Sequence, residues 1–187
     1  MKTVLIILSV LSSFLANLET KTLQSDFTVT VAEEVNAPMN YPGDIILHGN
    51  CFRLTMFGTE AAYDGKTMYM YSGDTDELTL TNPTEQELIE TNPFLYAKAL
   101  IPVCNVTERA TSDGQQTIVT LTPKDQSIGI NRFTLRVRNN DLMPLSVEIK
   151  EGKKTSTLKL KEPKFVTDKQ EYKIVPDKDT YINDMRL

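Results

Sequence analysis

From Asp26 the chain alternates: Phe27, Val29 and Val31 are separated by Thr28 and Thr30, the period of a half-buried strand of β-branched residues. The same period returns most plainly where Phe133, Leu135 and Val137 oppose Arg132, Thr134, Arg136 and Arg138. Leu145, Val147 and Ile149 oppose Ser146, Glu148 and Lys150 in the same way, as Leu158 and Leu160 oppose Lys159 and Lys161. Ile45 and Leu47 share one face, and Phe52, Leu54 and Met56 another, around Gly49-Asn50, a pair able to make a primed hairpin turn. These patterns predict strands over 44–48, 51–57, 77–81, 103–109, 117–122, 131–138, 145–150 and 156–161. Asp113-Gly114, Asn139-Asn140-Asp141 and Gly152-Lys153 supply turns between the later ones. Residues 36–43 hold two Pro and a Gly and read as a loop, and the tail 164–187 as one or two last strands.

The segment 61–100 breaks this regularity. Asp64-Gly65 marks a tight turn, and the strand after it carries Met68 and Met70 on one face and Tyr69 and Tyr71 on the other, so neither face is polar. Such a strand is either buried on both sides or set between a core and a greasy cavity. The period then becomes helical. Asn82 can cap a helix with Pro83 first and Glu85 third, and Asn92-Pro93 repeats the device for 94–100. The apolar residues of these short helices, Leu88, Ile89, Phe94, Leu95, Tyr96 and Leu100, need a surface to cover. The fold class predicted is mainly β with short helices (α+β): an antiparallel meander, apolar on one side, curls around the helices into an open barrel with an apolar interior.

Residues 1–16 carry Lys2, an apolar run from Val4 to Leu15 and small residues toward Ala16, as in a secretory signal peptide. The run is shorter than the ~20 residues of a membrane span. Val10 to Thr22 can equally form an amphipathic helix of the mature fold, with Leu11, Phe14, Leu15 and Leu18 at helical spacing. The signal and that helix can overlap; residues 17–187 form one domain in either case.

At 187 residues and 40% hydrophobic composition the chain can bury a substantial core. Its charged residues are mixed along the chain, with a net charge of −5, which argues against a nucleic-acid partner. There is one His, His48, and no nucleophile–base pair, so an enzyme is not expected. His48 and Cys51 do not make a metal site, since two ligands cannot close one. Cys51 and Cys104 either form a disulfide in an oxidising compartment or stay buried and free.

Asp64-Gly65-Lys66-Thr67 with its aromatic strand (DGKTMYMY), then DELTLTNP, then NPFLYA, resemble the periplasmic outer-membrane lipoprotein carrier family LolA. Weaker likeness covers SDFTVT at 25–30, GDIIL at 43–47, the strand 133–137 and Asp184-Met185-Arg186, so that most of the chain is included. The resemblance implies a curved antiparallel half-barrel closed by helices, whose apolar cavity holds the acyl chains of a lipoprotein, with no cofactor and no metal. It implies a periplasmic monomer that meets acylated lipoproteins, an inner-membrane lipoprotein-release transporter and an outer-membrane acceptor. The cavity on this basis takes Phe27, Val29, Ile45, Leu47, Phe52, Leu54, Met56, Met68 and Met70 from the first strands. Leu88, Ile89, Phe94 and Leu95 come from the helices and Phe133, Leu135, Leu145 and Val147 from the later strands, with Pro83, Leu88, Ile89, Pro93 and Phe94 as the lid. Met suits such a site, being unbranched and polarizable. Two departures stand out. His48-Gly49 falls where the family has a Lys-Arg pair, so the arginine that latches the lid is missing, with Arg53 as a stand-in. The segment before Ser25 is also too short for a signal and a full helix, so residues 1–22 serve both purposes or the true start lies elsewhere. Alternatives to the lipoprotein carrier are a binder of another lipid and an interaction domain with a filled core.

Overall fold

The computed structural model describes residues 9–34, 36–167 and 170–186; the start of the expected signal, before Ser9, lies outside them. Helix α1 (Val10–Thr20) comes first. It leads into a meander of β1 (Thr22–Glu33), β2 (Met39–His48), β3 (Cys51–Met56), β4 (Thr59–Tyr63), β5 (Met68–Ser72) and β6 (Glu77–Thr81). Helices α2 (Glu85–Thr91) and α3 (Pro93–Leu100) follow. A second meander then comprises β7 (Cys104–Ala110), β8 (Gln116–Pro123), β9 (Arg132–Arg138), β10 (Met143–Glu151) and β11 (Lys154–Val166), before a last strand β12 (Tyr181–Asp184).

All these strands join one sheet in the order β12-β6-β5-β4-β3-β2-β1-β11-β10-β9-β8-β7. The two meanders meet along β1 and β11, which pair antiparallel from Thr22 opposite Val166 to Glu33 opposite Lys154. The sheet must curl. Helix α1 has 11 residues, so it is about 16 Å long. Its Leu18 carbonyl accepts from Gly49 N–H after β2, while Val10 and Leu11 N–H donate to the Glu108 carboxylate of β7 at 3.0 and 2.9 Å. On a flat sheet the six strand spacings from β2 to β7 would span roughly 29 Å. Helix α1 is therefore a chord across the concave side, and it buries Leu11, Phe14 and Leu18 there.

The alternation read in β9 holds: Phe133, Leu135 and Val137 are fully buried on the concave side with Val119 and Leu121 of β8. Arg132, Thr134, Arg136, Ser146, Glu148 and Lys159 line a polar outer groove. The strand with two apolar faces has an explanation at the other end of the sheet. Met68 joins the concave core, while Tyr69 and Tyr71 pack on the outer side against a small cluster of Ala62, Leu78, Leu80 and Ile174. Ile174 belongs to a tail segment that crosses the outer face without strand structure before β12 pairs parallel with β6. The second meander's antiparallel rule thus stops at the tail, whose residues 170–180 form no strand.

Two further local expectations shift. The segment 36–43 is not wholly a loop, because β2 begins at Met39. Pro42, which lacks an N–H, is tolerated because β3 pairs with β2 only from Gly43 onward, leaving Pro42 with β1 as its one neighbour. The cap of α2 is Thr84, not Asn82: Thr84 Oγ1 accepts from Glu87 N–H while the Glu87 carboxylate accepts from Thr84 N–H at 2.7 Å. The reciprocal Thr-x-x-Glu pair satisfies two orphan donors, which outweighs a Pro in the first turn.

Asp64 ties that tail segment to the β4–β5 turn. Its Oδ1 accepts from the N–H groups of Lys66 and Thr67 at 3.0 and 2.8 Å, and its Oδ2 accepts from Tyr69 O–H at 3.2 Å with Lys173 Nζ at 3.8 Å. Burial pushes the carboxyl up, but the Thr67 and Lys66 N–H bonds, Tyr69 and Lys173 outweigh it and hold the group below 3.8. A depressed carboxylate stabilises the fold fully above its unfolded value and loses that contribution as pH falls through its folded value. The Asp64→Asn variant should therefore show a shallower loss of thermal stability below about pH 4 than the parent chain, read by melting curves at a series of pH values; parallel curves would remove Asp64 from the acid response.

Candidate functional site

The concave side is not completely filled. Phe27 and Val29 of β1, Ile45 of β2, Phe52, Leu54 and Met56 of β3, and Leu158 of β11 make an apolar floor. Thr91, Asn92 and Pro93, where α2 turns into α3, make the roof over a cavity of about 180 Å³. The floor is built by strand alternation: in β3, Phe52 and Leu54 face in, while Arg53 faces out and pairs with Glu60 in an outer groove shared with the tail segment. Arg53 therefore does not reach the lid. The roof is built by capping. Asn92 ends α2, its own N–H donating to Leu88 O, and starts α3, its Oδ1 accepting from Phe94 and Leu95 N–H at 3.0 and 3.3 Å. Pro93 at the first position of α3 is pre-set for the helix.

The other residues expected at the cavity divide three ways. Leu47, Met68, Phe133, Leu135 and Val147 are buried in the main core but do not border this space. Leu145 sits where the β10–β9 register shifts between Pro144 and Ser146, which takes it out of the alternation, and it is only part-buried. Met70 shares a strand with Met68 but is 40% exposed. Among the lid residues, Pro93 lies in the roof, Phe94 is buried but does not line the cavity, and Pro83 precedes the Thr84 cap. Leu88, Ile89 and Leu95 face a separate shallow depression with Asn50 and Lys98. Leu158, Thr91 and Asn92 were not expected at the cavity. The alternation of Leu158 with Lys159 signals its inward face, and Asn-Pro signals the cap, but neither signals the cavity.

The lid is held by α1. Phe14 of α1 meets Phe94 of α3 edge to face with ring centroids 5.4 Å apart, a contact worth about 0.5–1.5 kcal/mol beyond its buried area. Glu19 and Lys98 form an ion pair at 2.8 Å; both are exposed, so this adds little. Tyr96 packs on Phe133 at 6.2 Å. Helix α2 is held more loosely, with Leu88 its one buried residue. Cys51 and Cys104 are free thiols, each pushed up by burial, with Asp64 adding to the effect at Cys51. Among the described residues no cluster could hold a metal ion, and no helix is long and apolar enough to cross a membrane.

A single curled sheet, antiparallel except where β12 joins β6, with a chord helix and a two-helix lid over an apolar space is a half-barrel closed by helices, the architecture the sequence resemblance implied. No family model and no curated protein matches the sequence. Among solved structures, the chain is similar to an uncharacterized conserved protein from Thermus thermophilus, with 14% identity over 93% of this chain and 96% of that one and a TM-score of 0.62. It is also similar to a chain of the MucA/MucB complex of Pseudomonas aeruginosa, at 15% identity over 86% of this chain and 58% of that one, with a TM-score of 0.52. A LolA superfamily protein from Nitrosomonas europaea aligns over 90% of this chain and 96% of its own, at 13% identity and a TM-score of 0.41. At these identities the likeness is one of fold.

Proposed function

We propose that the chain is a periplasmic carrier that takes the acyl chains of lipoproteins into the half-barrel and moves them from the inner to the outer membrane. The observation that supports this reading is the apolar floor under a roof made by the α2–α3 junction. Apolar cavities stay dry and accept apolar ligands, and each methylene buried contributes about 0.8 kcal/mol. The space of about 180 Å³ falls below the ~300–1,000 Å³ of ordinary ligand sites. Loading therefore requires the lid to rise, and α2, with its single buried residue, is the part held least. A carrier has to release what it binds, so its closed empty form must lie close in free energy to its open loaded one. A release transporter at the inner membrane and an acceptor at the outer membrane are the partners this reading calls for.

The test is recovery of a triacylated lipoprotein on the immobilised chain against the same lipoprotein with its modified cysteine replaced. Capture of the acylated form alone is expected, and equal recovery of both would sink the proposal. The small volume favours one other reading, a binder of a single free lipid. Native mass spectrometry of the extracted protein separates the two by the mass of what is bound.

A further inference from the structure

The cavity wall is apolar except at the α2–α3 junction, where Thr91 and Asn92 border it. Thr91 is satisfied, since its Oγ1 donates to Glu87 O at 2.8 Å. Asn92 is not. It is 2% exposed, and its Oδ1 is committed to the N–H groups of Phe94 and Leu95. That commitment fixes which end of the amide is oxygen, because only the oxygen can accept. The amide nitrogen is left buried with no hydrogen-bond partner among the described residues.

A buried donor without an acceptor costs free energy that a folded protein rarely leaves uncompensated. Here the residue that carries it borders a space otherwise suited to hydrocarbon. We propose that Asn92 is the polar anchor of the cavity: its side-chain N–H donates to the carbonyl oxygen of an acyl ester or amide whose hydrocarbon tail lies on the floor of Phe27, Val29, Ile45, Leu54 and Leu158. The ligand class is thus an acyl-carbonyl lipid and not a plain hydrocarbon. The placement also couples ligand to lid. Asn92 closes α2 and opens α3 through its own backbone and side chain, so a carbonyl bonded to it is attached to the piece that must move. This inference rests on the reading of the cavity as an acyl-chain site.

The experiment is displacement of the fluorescent probe N-phenylnaphthylamine from the full chain by methyl laurate and by n-tetradecane, which match in chain length and differ in the carbonyl. The parent chain should prefer the ester by about tenfold, the size of one otherwise unsatisfied donor finding its acceptor. In Asn92→Asp, which keeps shape and cap acceptor but loses the amide donor, the preference should fall to near one. Asn92→Ser, also a good cap, should do the same and guards against a folding defect peculiar to the carboxylate. Equal displacement by both compounds in the parent chain overturns the anchor and leaves the apolar cavity standing. A preference that survives in both variants also overturns it, by placing the donor elsewhere. Displacement by neither compound overturns the acyl-chain reading itself.

Discussion

A chain beginning at Asn17 is expected to lose cooperative thermal unfolding, whereas one beginning at Ser9 should melt as a single unit. The first cut removes Leu11 and Phe14 together with the N–H groups held by Glu108. Truncating a buried Phe costs about 3–5 kcal/mol and a buried Leu about 2–5 kcal/mol, against a total stability of roughly 5–15 kcal/mol for a domain. The damage extends to the lid, because Phe94 loses the ring it packs on, and to the curl of the sheet, because the chord is gone. The second cut keeps the Ser9 side chain, which accepts from Ser12 N–H at 3.1 Å and caps the helix. Scanning calorimetry of the two chains, with binding of an apolar dye as a second measure, distinguishes them. Identical melting would show that α1 does not hold the fold. The comparison bears on export too: cleavage after Ala16 would split α1 and take away most of its buried face.

The second large effect is expected at Gly43. This residue lies opposite Phe27 in β1 and Met56 in β3, and a Cβ built on it would stand 2.4 Å from Phe27 Cζ and 2.4 Å from the Thr55 carbonyl oxygen. The ring can turn away, but the carbonyl is backbone and cannot. Gly43→Ala should therefore destabilise the chain by the ~1–3 kcal/mol of overpacking, lowering Tm by about 2–12 °C at the usual ratio for a chain of this size. Phe27 is also part of the cavity floor, so a displaced ring takes up ligand space and binding of N-phenylnaphthylamine should weaken together with Tm. The double variant Phe27→Ala, Gly43→Ala separates the causes. Probe binding should partly return when the ring is gone, while the strain at Thr55 persists. An unchanged Tm for Gly43→Ala would contradict the close approach of β2 to β3.

Much of the sheet was readable because one of its faces is wet. Where Arg132, Thr134 and Arg136 face solvent, the period of two is clean, and the inward set follows without ambiguity. Legibility fails where a residue's role is decided by something distant. Glu108 lies in an exposed stretch of β7 and looks like any solvated strand residue, yet it caps a helix 97 positions earlier in the chain. Tyr69 and Tyr71 gave a second apolar face with no visible partner because the partner, Ile174, arrives only after the second meander. Local competition misled once, at Asn82, where Asn-Pro and Thr-x-x-Glu both offer a helix start and the reciprocal pair prevails. At the site, alternation marked Phe27, Val29, Ile45, Phe52, Leu54 and Met56 as inward. It could not separate these from Leu47, Phe133 or Leu135, since filled core and open cavity share one pattern and differ only in what stands opposite.

The seam between β1 and β11 also sets the order in which the molecule can assemble. The bond from Ser25 Oγ to the Lys161 carbonyl joins positions 136 residues apart. Sheets dominated by such distant pairings close slowly, on the scale of milliseconds to seconds. As the chain emerges from the ribosome, β1 finds β2 at once but waits for its other neighbour until almost all of the polypeptide has been made. During that interval the first meander has an unpaired edge and an uncovered apolar face. Late closure therefore leaves one edge of β1 open for most of the chain's synthesis.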